Sequence, residues 1–320
     1  MNLLKSTLIF VGILTVLGIS INAYVQDGEL NSSESGSILA DTIRNRSVAT
    51  SYRIKALPVP ENLDFAGEPV PLEDPDVYER MDRELLVNTY WQSNALLLIK
   101  RANKFFPIIE PVLEEEGIPD DFKYLAVIES GLTQAVSPAK AVGFWQILEG
   151  TGKEYGLEIN SNVDERYNIE KSTRVAADYL KKAKARFGSW TLAAASYNAG
   201  QYGVDKQLDR QKVDEYYELL LGEETGRYVF RILALKEIMN NPEKYGFDYE
   251  EEDLYAPIQL NKIKVDTAVE NFPNFAREFG INYKTLKIHN PWLRDDHLNN
   301  SSKRTYYIEI PEKGQYPKLD

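Results

Sequence analysis

The sequence contains no cysteine and only two histidines among its 320 residues. The lack of cysteine excludes disulfide bonds, thiol nucleophiles, Cys-ligated zinc and a lipid anchor on cysteine, so we do not expect a lipoprotein. His289 and His297 are too few for a histidine-based zinc centre, and we interpret both as ordinary polar positions. We therefore expect no metal and no cofactor. Carboxylates remain as the candidate catalytic groups.

Basic residues are also scarce. There are 37 Lys and Arg against 49 Asp and Glu, which gives a formal net charge of −12. A chain this acidic lacks the basic surface that binds phosphate backbones, so we do not expect nucleic acid as a partner. Hydrophobic residues make up 43% of the chain and charged residues 27%, as in ordinary globular proteins. The length predicts two domains plus tails.

Residues 1–23 predict export. Lys5 is the only charged side chain before an apolar run from Thr7 to Ile21, and the small residue Ala23 follows. A basic residue, an apolar stretch of about 7–15 residues and a small residue are typical of a signal peptide. The run is shorter than the roughly 20 residues that span a bilayer, which favours cleavage of the signal peptide. Retention of the segment as a membrane anchor is the alternative. Both place the rest of the chain in the periplasm or cell envelope.

Two segments precede the domain predicted at residues 107–245. Residues 24–56 are polar and predict a flexible tether. Residues 57–106 predict a proline-rich arm followed by a long helix that packs on that domain. The prolines of the arm favour an extended chain. Asp74 is a candidate N-cap with Pro75 at the first helical position, and this helix is predicted to run, continuous or with one break, to Phe106.

Residues 107–245 show helical periodicity throughout. Helices are predicted at 108–116, 172–187 and 190–198, with glycines close after their ends. No strand-like alternation interrupts this region. The segment therefore predicts an all-helical domain.

A carboxylate interrupts the apolar face of one predicted helix, at 120–131. Phe122, Leu125 and Ala126 form an apolar stripe, and the next position on that stripe is Glu129. Burial disfavours an ionised carboxylate and raises its pKa, which suits a general acid working near neutral pH. The alternative is that Glu129 lies at the helix end and points to solvent or pairs with an arginine.

Further motifs follow Glu129 in a fixed order. With Glu129-Ser130 they are Gly143-Phe144-Trp145-Gln146, Tyr197-Asn198-Ala199-Gly200 and Glu224-Thr225-Gly226-Arg227-Tyr228. Each alone fits core packing, a helix cap or a first-turn charge. Together they resemble the lytic transglycosylase domain of the lysozyme-like superfamily, in the branch of membrane-bound lytic murein transglycosylase D. The resemblance covers residues 57–245. It departs at Phe144, commonly Leu or Met, at Leu148-Glu149-Gly150, where a Phe/Met-x-Pro/Ser pattern is commoner, and at Ser196, usually Ala.

The resemblance implies a mainly α protein with a lysozyme-like catalytic domain and peptidoglycan glycan strands as its partner. It makes Glu129 the single catalytic carboxylate. Glu129 would protonate the glycosidic oxygen between N-acetylmuramic acid and N-acetylglucosamine. It would then act as base on the 6-hydroxyl, leaving a 1,6-anhydro end. We expect the protein to act as a monomer.

The same resemblance implies further site residues. Gly143 allows a close backbone approach. Hydrogen bonds that orient the sugar or Glu129 would come from Ser130, Gln146 and Asn198. The cleft would be lined by Tyr197 and Tyr228, and the Tyr228 hydroxyl would form a hydrogen bond with the acid. The resemblance also implies that Phe144 or Trp145 offers an apolar face on which a sugar ring can pack.

Two rival functions stay open. A true muramidase would add water across the same bond, and needs a second carboxylate roughly 6.5–9.5 Å from the first if it inverts. Glu149, Glu154 and Asp164 are candidates by sequence proximity, although their polar stretch predicts solvated loop charges. The other rival is a non-catalytic murein-binding scaffold, against which the presence of Glu129 argues.

Residues 255–320 follow a different pattern. Residues 258–265 and 306–310 alternate like strands, and two short helical faces lie between them at 272–279 and 282–290. This order predicts a small α+β domain.

The α+β segment resembles a LysM module, a glycan-binding domain that recognises N-acetylglucosamine. The resemblance rests on residues 275–280, on Leu286 and on Asn290-Pro291. The usual Gly-Asp before the first Thr is replaced by Val265-Asp266, so we expect a degenerate LysM-like domain. Binding of murein and bracing of the catalytic domain both stay open as its role.

Overall fold

The computed structural model describes residues 54–317. The predicted signal segment and all but the last three residues of the predicted tether lie outside the described residues. Within 54–317, no helix is both long and apolar enough to cross a membrane.

The proline-rich arm is extended, as predicted, and contains one tight hairpin. Strands β1 (Asp64–Phe65) and β2 (Glu68–Pro69) pair antiparallel. The Glu68 carboxylate accepts hydrogen bonds from the backbone N–H groups of Trp190 and Thr191, at 2.6 and 2.9 Å. These N–H groups lie in the first turn of a helix, where backbone N–H groups have no partner within the helix, so the arm supplies acceptors to that turn beside its N-cap, Ser189.

Two long helices follow the arm. Helix α1 (Pro75–Tyr90) begins as predicted, because Asp74 accepts a hydrogen bond from the N–H of Asp76 and Pro75 occupies the first turn. After one residue, α2 (Gln92–Glu115) continues the chain.

The predicted helix end at Phe106 is wrong. Pro107 and Pro111 both lie inside α2, although each proline removes a backbone donor. Side chains on both sides of Pro107, including Ile99 and Leu113, are buried in the same core. Burial of this continuous apolar face therefore outweighs the local preference for a break.

The remaining helices complete an all-helical domain, as predicted. They are α3 (Lys123–Ser130), α4 (Glu149–Glu154), α5 (Ile169–Phe187), α6 (Trp190–Ala199), α7 (Gln201–Gln211) and α8 (Glu223–Asn240). Helix α8 is central, since it packs against α1, α3 and α6. Its Val229, Phe230 and Ile232 are fully buried.

The C-terminal region forms the predicted strand, two helices and strand. Strands β3 (Leu260–Val265) and β4 (Tyr306–Pro311) pair antiparallel, with Val265 opposite Tyr306. Between them lie α9 (Phe272–Glu278) and α10 (Tyr283–His289). The whole is therefore mainly α with a small α+β domain, which confirms the predicted fold class.

Candidate active site

Glu129 lies in the last turn of α3, on the stripe where the sequence placed it. Leu125 and Ala126 on that stripe are fully buried, whereas Glu129 is half-buried. Gly131 ends the helix in the left-handed conformation, with φ of 61°, and its N–H bonds to the Val127 carbonyl. The helix end thus holds a carboxyl group at the boundary between core and solvent.

The surroundings of Glu129 favour its protonated form. Burial raises the pKa of the Glu129 carboxyl group above its ordinary value. A hydrogen bond from the Tyr228 hydroxyl to Oε1 and the positive charge of Arg231 act in the opposite direction, and the negative charge of Glu224 adds to the rise. The net direction is upward, which is what a general acid requires.

Tyr228 is held on α8 and is almost completely buried. Burial raises the pKa of its phenol well above 10, so the hydroxyl stays protonated and donates to Glu129. The predicted hydrogen bond between Tyr228 and the acid is therefore present.

Gly143 allows the close approach that the sequence predicted. Its φ is +80°, and a Cβ placed there would lie 2.4 Å from the backbone oxygen of Arg166. Both observations require glycine. Nearby, the Gln146 side-chain amide donates to the carbonyls of Gly143 and Ala135, at 2.8 and 3.1 Å, so it stabilises its own loop.

Two predicted site residues attach this loop to the catalytic helices. The Ser130 hydroxyl donates to the Phe144 carbonyl at 2.9 Å, and the Tyr197 hydroxyl donates to the Trp145 carbonyl at 2.8 Å. Since Ser130 follows Glu129 directly, the loop at 143–146 is fixed against the helix that carries the acid.

The predicted apolar face for a sugar ring is wrong. Trp145 is 0% exposed and Phe144 is 2% exposed. The Trp145 indole N–H donates to Thr173 Oγ1 at 2.8 Å, and the Phe144 ring packs edge-on against Phe105. Both rings are core residues because the loop turns them inward while its carbonyls face Ser130 and Tyr197.

Asn198 bonds to a different partner from the one expected. Its amide donates to the Glu224 carboxylate at 3.2 Å, and its oxygen accepts a hydrogen bond from the Thr225 hydroxyl at 2.7 Å. Asn198 therefore joins the end of α6 to the start of α8. An exposed carboxylate, Glu224, is the group that it orients.

Glu224 is an acidic group close enough to act on Glu129, although the sequence did not single it out as a candidate second carboxylate. The charged groups that act on the Glu129 pKa are Arg231 and Glu224. The expected candidates have other roles: Glu149 is exposed and pairs with Lys153, Glu154 is exposed, and Asp164 is buried against Arg166. The signal was present, because Glu224 begins the motif that contains Tyr228.

Arg166 was also missed. Its guanidinium pairs with Asp164 through two hydrogen bonds, at 3.0 and 2.7 Å, and donates to the carbonyls of Lys140 and Ile147. Its own carbonyl lies against Gly143. Arg166 therefore stabilises both ends of the loop that contains the 143–146 motif, but its contribution depends on contacts distant in sequence.

Among residues 54–317, three side chains lie close enough to share a metal ion. They are Asp295, Asp296 and His297 in the C-terminal domain. All three are partly or fully exposed, and the carboxylate of Asp296 pairs with His297 at 3.0 Å. None of the three is among the groups that contact or act on Glu129 in the described part of the chain.

The fold and site define a helical domain built around one protonatable carboxyl group. Residues 107–220 match the family described as Transglycosylase SLT domain, and residues 261–314 match the Soluble lytic transglycosylase C-terminal LysM-like domain. The chain therefore carries a transglycosylase SLT domain followed by a LysM-like domain, which confirms the resemblance found in the sequence.

The chain is also similar to individual known proteins. The chain is 30% identical over 219 residues to membrane-bound lytic murein transglycosylase D of Escherichia coli, in strains K12 and O6:H1, covering 67% of this chain and 47% of each relative. It thus spans about half the length of these curated relatives. A solved structure of an inactive mutant of lytic transglycosylase Slt from Pseudomonas aeruginosa aligns with 48% of this chain and 26% of its own, at 18% identity and a TM-score of 0.35.

Proposed function

We propose that this chain is a peptidoglycan lytic transglycosylase. In this proposal it cleaves the β-1,4 bond between N-acetylmuramic acid and N-acetylglucosamine and leaves 1,6-anhydromuramyl ends. The observation that carries the proposal is Glu129, a half-buried carboxyl group whose pKa is raised by burial and to which Tyr228 donates. The transglycosylase SLT domain around it supports the same function.

In the first step, protonated Glu129 gives its proton to the glycosidic oxygen. The bond from that oxygen to the muramic acid C1 breaks, and the N-acetylglucosamine side leaves with a new hydroxyl. Positive charge develops at C1, where the sugar's own N-acetyl oxygen stabilises it; substrate assistance of this kind replaces a carboxylate nucleophile. The Glu129 carboxylate that results accepts the Tyr228 hydrogen bond.

In the second step, the same carboxylate removes the proton of the muramic acid 6-hydroxyl. The oxygen of that hydroxyl bonds to C1 and closes the anhydro ring. No water is consumed, and Glu129 returns to its protonated form. Because the attacking hydroxyl is part of the same sugar, the step gains from intramolecular proximity.

Hydrolysis by a muramidase is the second candidate, and Glu224 is the observation that favours it. Glu224 is exposed, acts electrostatically on Glu129 and is oriented by Asn198. A carboxylate in this place could activate a water. We rank it second because Glu224 faces solvent, whereas internal attack requires only Glu129.

We further propose that the protein acts in the cell envelope, as a monomer, in cell-wall remodelling. The export signal predicted at residues 1–23 supports this location, and attachment to a membrane through that segment depends on whether it is cleaved. The LysM-like domain supports peptidoglycan as the partner.

The test is digestion of purified murein followed by mass spectrometry of the released muropeptides. We expect 1,6-anhydro ends, which are lighter by one water than the reducing ends made by a hydrolase. Release of reducing ends would assign the muramidase function, and no release at all would leave a binding scaffold.

Two matched substitutions identify the carboxylate that acts. Glu129→Gln keeps shape and hydrogen bonding but cannot transfer a proton, so we expect the rate to fall by about 10²–10⁴-fold or more. Glu224→Gln should leave anhydro products as the main species. A wild-type rate in Glu129→Gln contradicts the mechanism, and loss of activity in Glu224→Gln alone favours hydrolysis.

A further inference from the structure

Three polar side chains follow one another along α8 at the spacing of a single helical face. They are Glu224, Tyr228 and Arg231, at positions i, i+4 and i+7. Tyr228 in the middle is buried and donates to Glu129, whereas Glu224 is exposed and Arg231 is partly exposed. This face therefore carries a negative charge, a hydroxyl and a positive charge, and the two-step mechanism above uses only the hydroxyl.

Arg231 contacts the helix that carries the acid. Its Nη2 donates to the carbonyl of Ile128 at 3.2 Å, and Ile128 directly precedes Glu129. This carbonyl belongs to the last turn of α3, where backbone C=O groups have no partner within the helix and where the helix dipole favours a positive charge. The guanidinium is therefore bonded to α3 one residue away from the acid.

Two side-chain charges in the described part of the chain act on Glu129. Burial is the largest influence and raises the pKa of its carboxyl group. The positive charge of Arg231 opposes this rise, and the negative charge of Glu224 adds to it. Tyr197 on α6 and Tyr228 on α8 also lie close to the acid. Because burial raises the pKa of both phenols well above 10, neither of them is charged.

The proposed mechanism uses Glu129 in both protonation states, and the present inference rests on that function. In the first step the acid gives its proton to the glycosidic oxygen and becomes a carboxylate. Burial acting alone would make this ionisation costly and Glu129 a weak acid. A positive charge fixed beside the carboxylate stabilises it until it removes the proton of the 6-hydroxyl.

We propose that Arg231 is a positioning residue for this reaction, which holds the end of α3 and stabilises the carboxylate that Glu129 becomes when it gives up its proton. The hydrogen bond to the Ile128 carbonyl performs the first task, and the guanidinium charge performs the second. Glu224, one turn before Tyr228, acts in the opposite direction. The two charges of α8 together set the pH at which Glu129 loses its proton.

The test is a titration of the Glu129 carboxyl group in the full chain by ¹³C NMR, which needs no substrate. Glu129→Gln identifies the signal that belongs to this group. In Arg231→Gln we expect the midpoint of the titration to move to higher pH, because a charge that favours the carboxylate is gone. In Glu224→Gln it should move to lower pH. Arg231→Lys keeps the charge and should leave the midpoint close to that of the wild type.

Arg101 provides the matched control for a purely structural role. It lies on α2, and its Nη1 donates to the Gly131 carbonyl at 3.0 Å, so a second arginine is bonded to the same end of α3. The charges that act on the Glu129 pKa in the described part of the chain do not include Arg101. Arg101→Gln should therefore loosen the helix end without moving the Glu129 midpoint.

The pH–rate profile of murein digestion should follow the titration. In Arg231→Gln we expect the alkaline limb to move to higher pH. The maximal rate should fall by about tenfold or less, because one hydrogen bond from a charged donor is lost. Arg101→Gln should lower the rate and leave the limb in place.

Two results would overturn the proposal. They are an unmoved Glu129 midpoint in Arg231→Gln and an equal movement in Arg101→Gln. Thermal unfolding checks that each variant folds, and Arg231→Ala is a second uncharged variant, since alanine is the best helix former. An unmoved midpoint in Glu224→Gln would overturn the balance of two charges. Because the titration needs no catalysis, it remains decisive if murein digestion shows that the proposed function is wrong.

Discussion

The two domains acquire their hydrophobic cores in different ways. In the helical domain, the helices bury their own apolar faces in one shared core. The core of the LysM-like domain instead includes Val142, Val163 and Tyr167, which belong to the SLT domain. A small domain recognised by its own sequence pattern is therefore not an independent unit here, because part of its core is supplied by its neighbour.

Residues 162–166 also connect the LysM-like domain to the loop at 143–146. The Asn162 side chain donates to the His297 carbonyl and accepts from the Asn299 N–H, at 2.8 and 3.0 Å. The Asp164 N–H donates to the Trp292 carbonyl at 2.9 Å. Two residues later, Arg166 lies against Gly143. Of the two roles left open for the LysM-like domain, these contacts favour bracing of the catalytic domain.

Removal of the LysM-like domain is the strongest test of this comparison. A chain ending at Glu250 would expose Val142, Val163 and Tyr167 and lose the hydrogen bonds of Asn162. Burial of one large apolar side chain is worth about 1.5–3 kcal/mol, so we expect a loss on the order of 5 kcal/mol, a large part of a typical domain stability. Thermal unfolding and murein digestion should both show severe loss.

The control is a substitution that removes one surface contact between the two domains and leaves their buried contacts in place. Lys262→Ala removes only a half-exposed ion pair between the domains, with Glu170, and should change stability by less than about 1 kcal/mol. If the shortened chain instead unfolds at the full-length temperature and digests murein at the full-length rate, the two cores are independent and the bracing role is wrong.

Gly143→Ala tests the contact between the loop at 143–146 and Arg166. The new Cβ would lie 2.4 Å from the Arg166 carbonyl oxygen at a φ of +80°. Left-handed backbone alone costs an L residue roughly 1–2 kcal/mol, and the clash adds to this. We expect a stability loss of more than about 2 kcal/mol and a clear fall in the digestion rate, because a shift of the loop would disturb its hydrogen bonds with Ser130 and Tyr197.

Gly156→Ala is the matched control for Gly143→Ala. Gly156 has a similar φ of +86°, but nothing lies within 4 Å of a Cβ placed there. It therefore isolates the backbone strain from the clash, and we expect a cost of about 1–2 kcal/mol with unchanged activity. Equal effects of the two substitutions would show that the contact with Arg166 is unimportant.

Local patterns predicted much of this molecule. The caps at Asp74 and Gly131, the apolar stripe leading to Glu129 and the strand–helix–helix–strand order depend on residues close in sequence. The errors depend on distant contacts. Pro107 stays helical because a buried face continues through it, and Trp145 is buried because its indole meets Thr173 on another element. Asn198 and Arg166 have partners that no spacing rule identifies.

The smallest effect is expected within the helical domain, at Tyr228. Its hydroxyl donates to the Glu129 carboxylate and so lowers the Glu129 pKa, against the larger rise that burial causes. Tyr228→Phe should raise that pKa further. Because the first step needs protonated Glu129, the rate declines as pH rises through this pKa, and the alkaline limb of the pH–rate profile should move to higher pH. Loss of one hydrogen bond to a charged group also predicts a maximal rate about tenfold lower.

Tyr197→Phe is the comparison, since the Tyr197 hydroxyl donates to the Trp145 carbonyl instead of to Glu129. This variant should lower the rate without moving the alkaline limb. A limb that moves to lower pH in Tyr228→Phe would show that this hydrogen bond favours the protonated acid, contrary to the electrostatics described above.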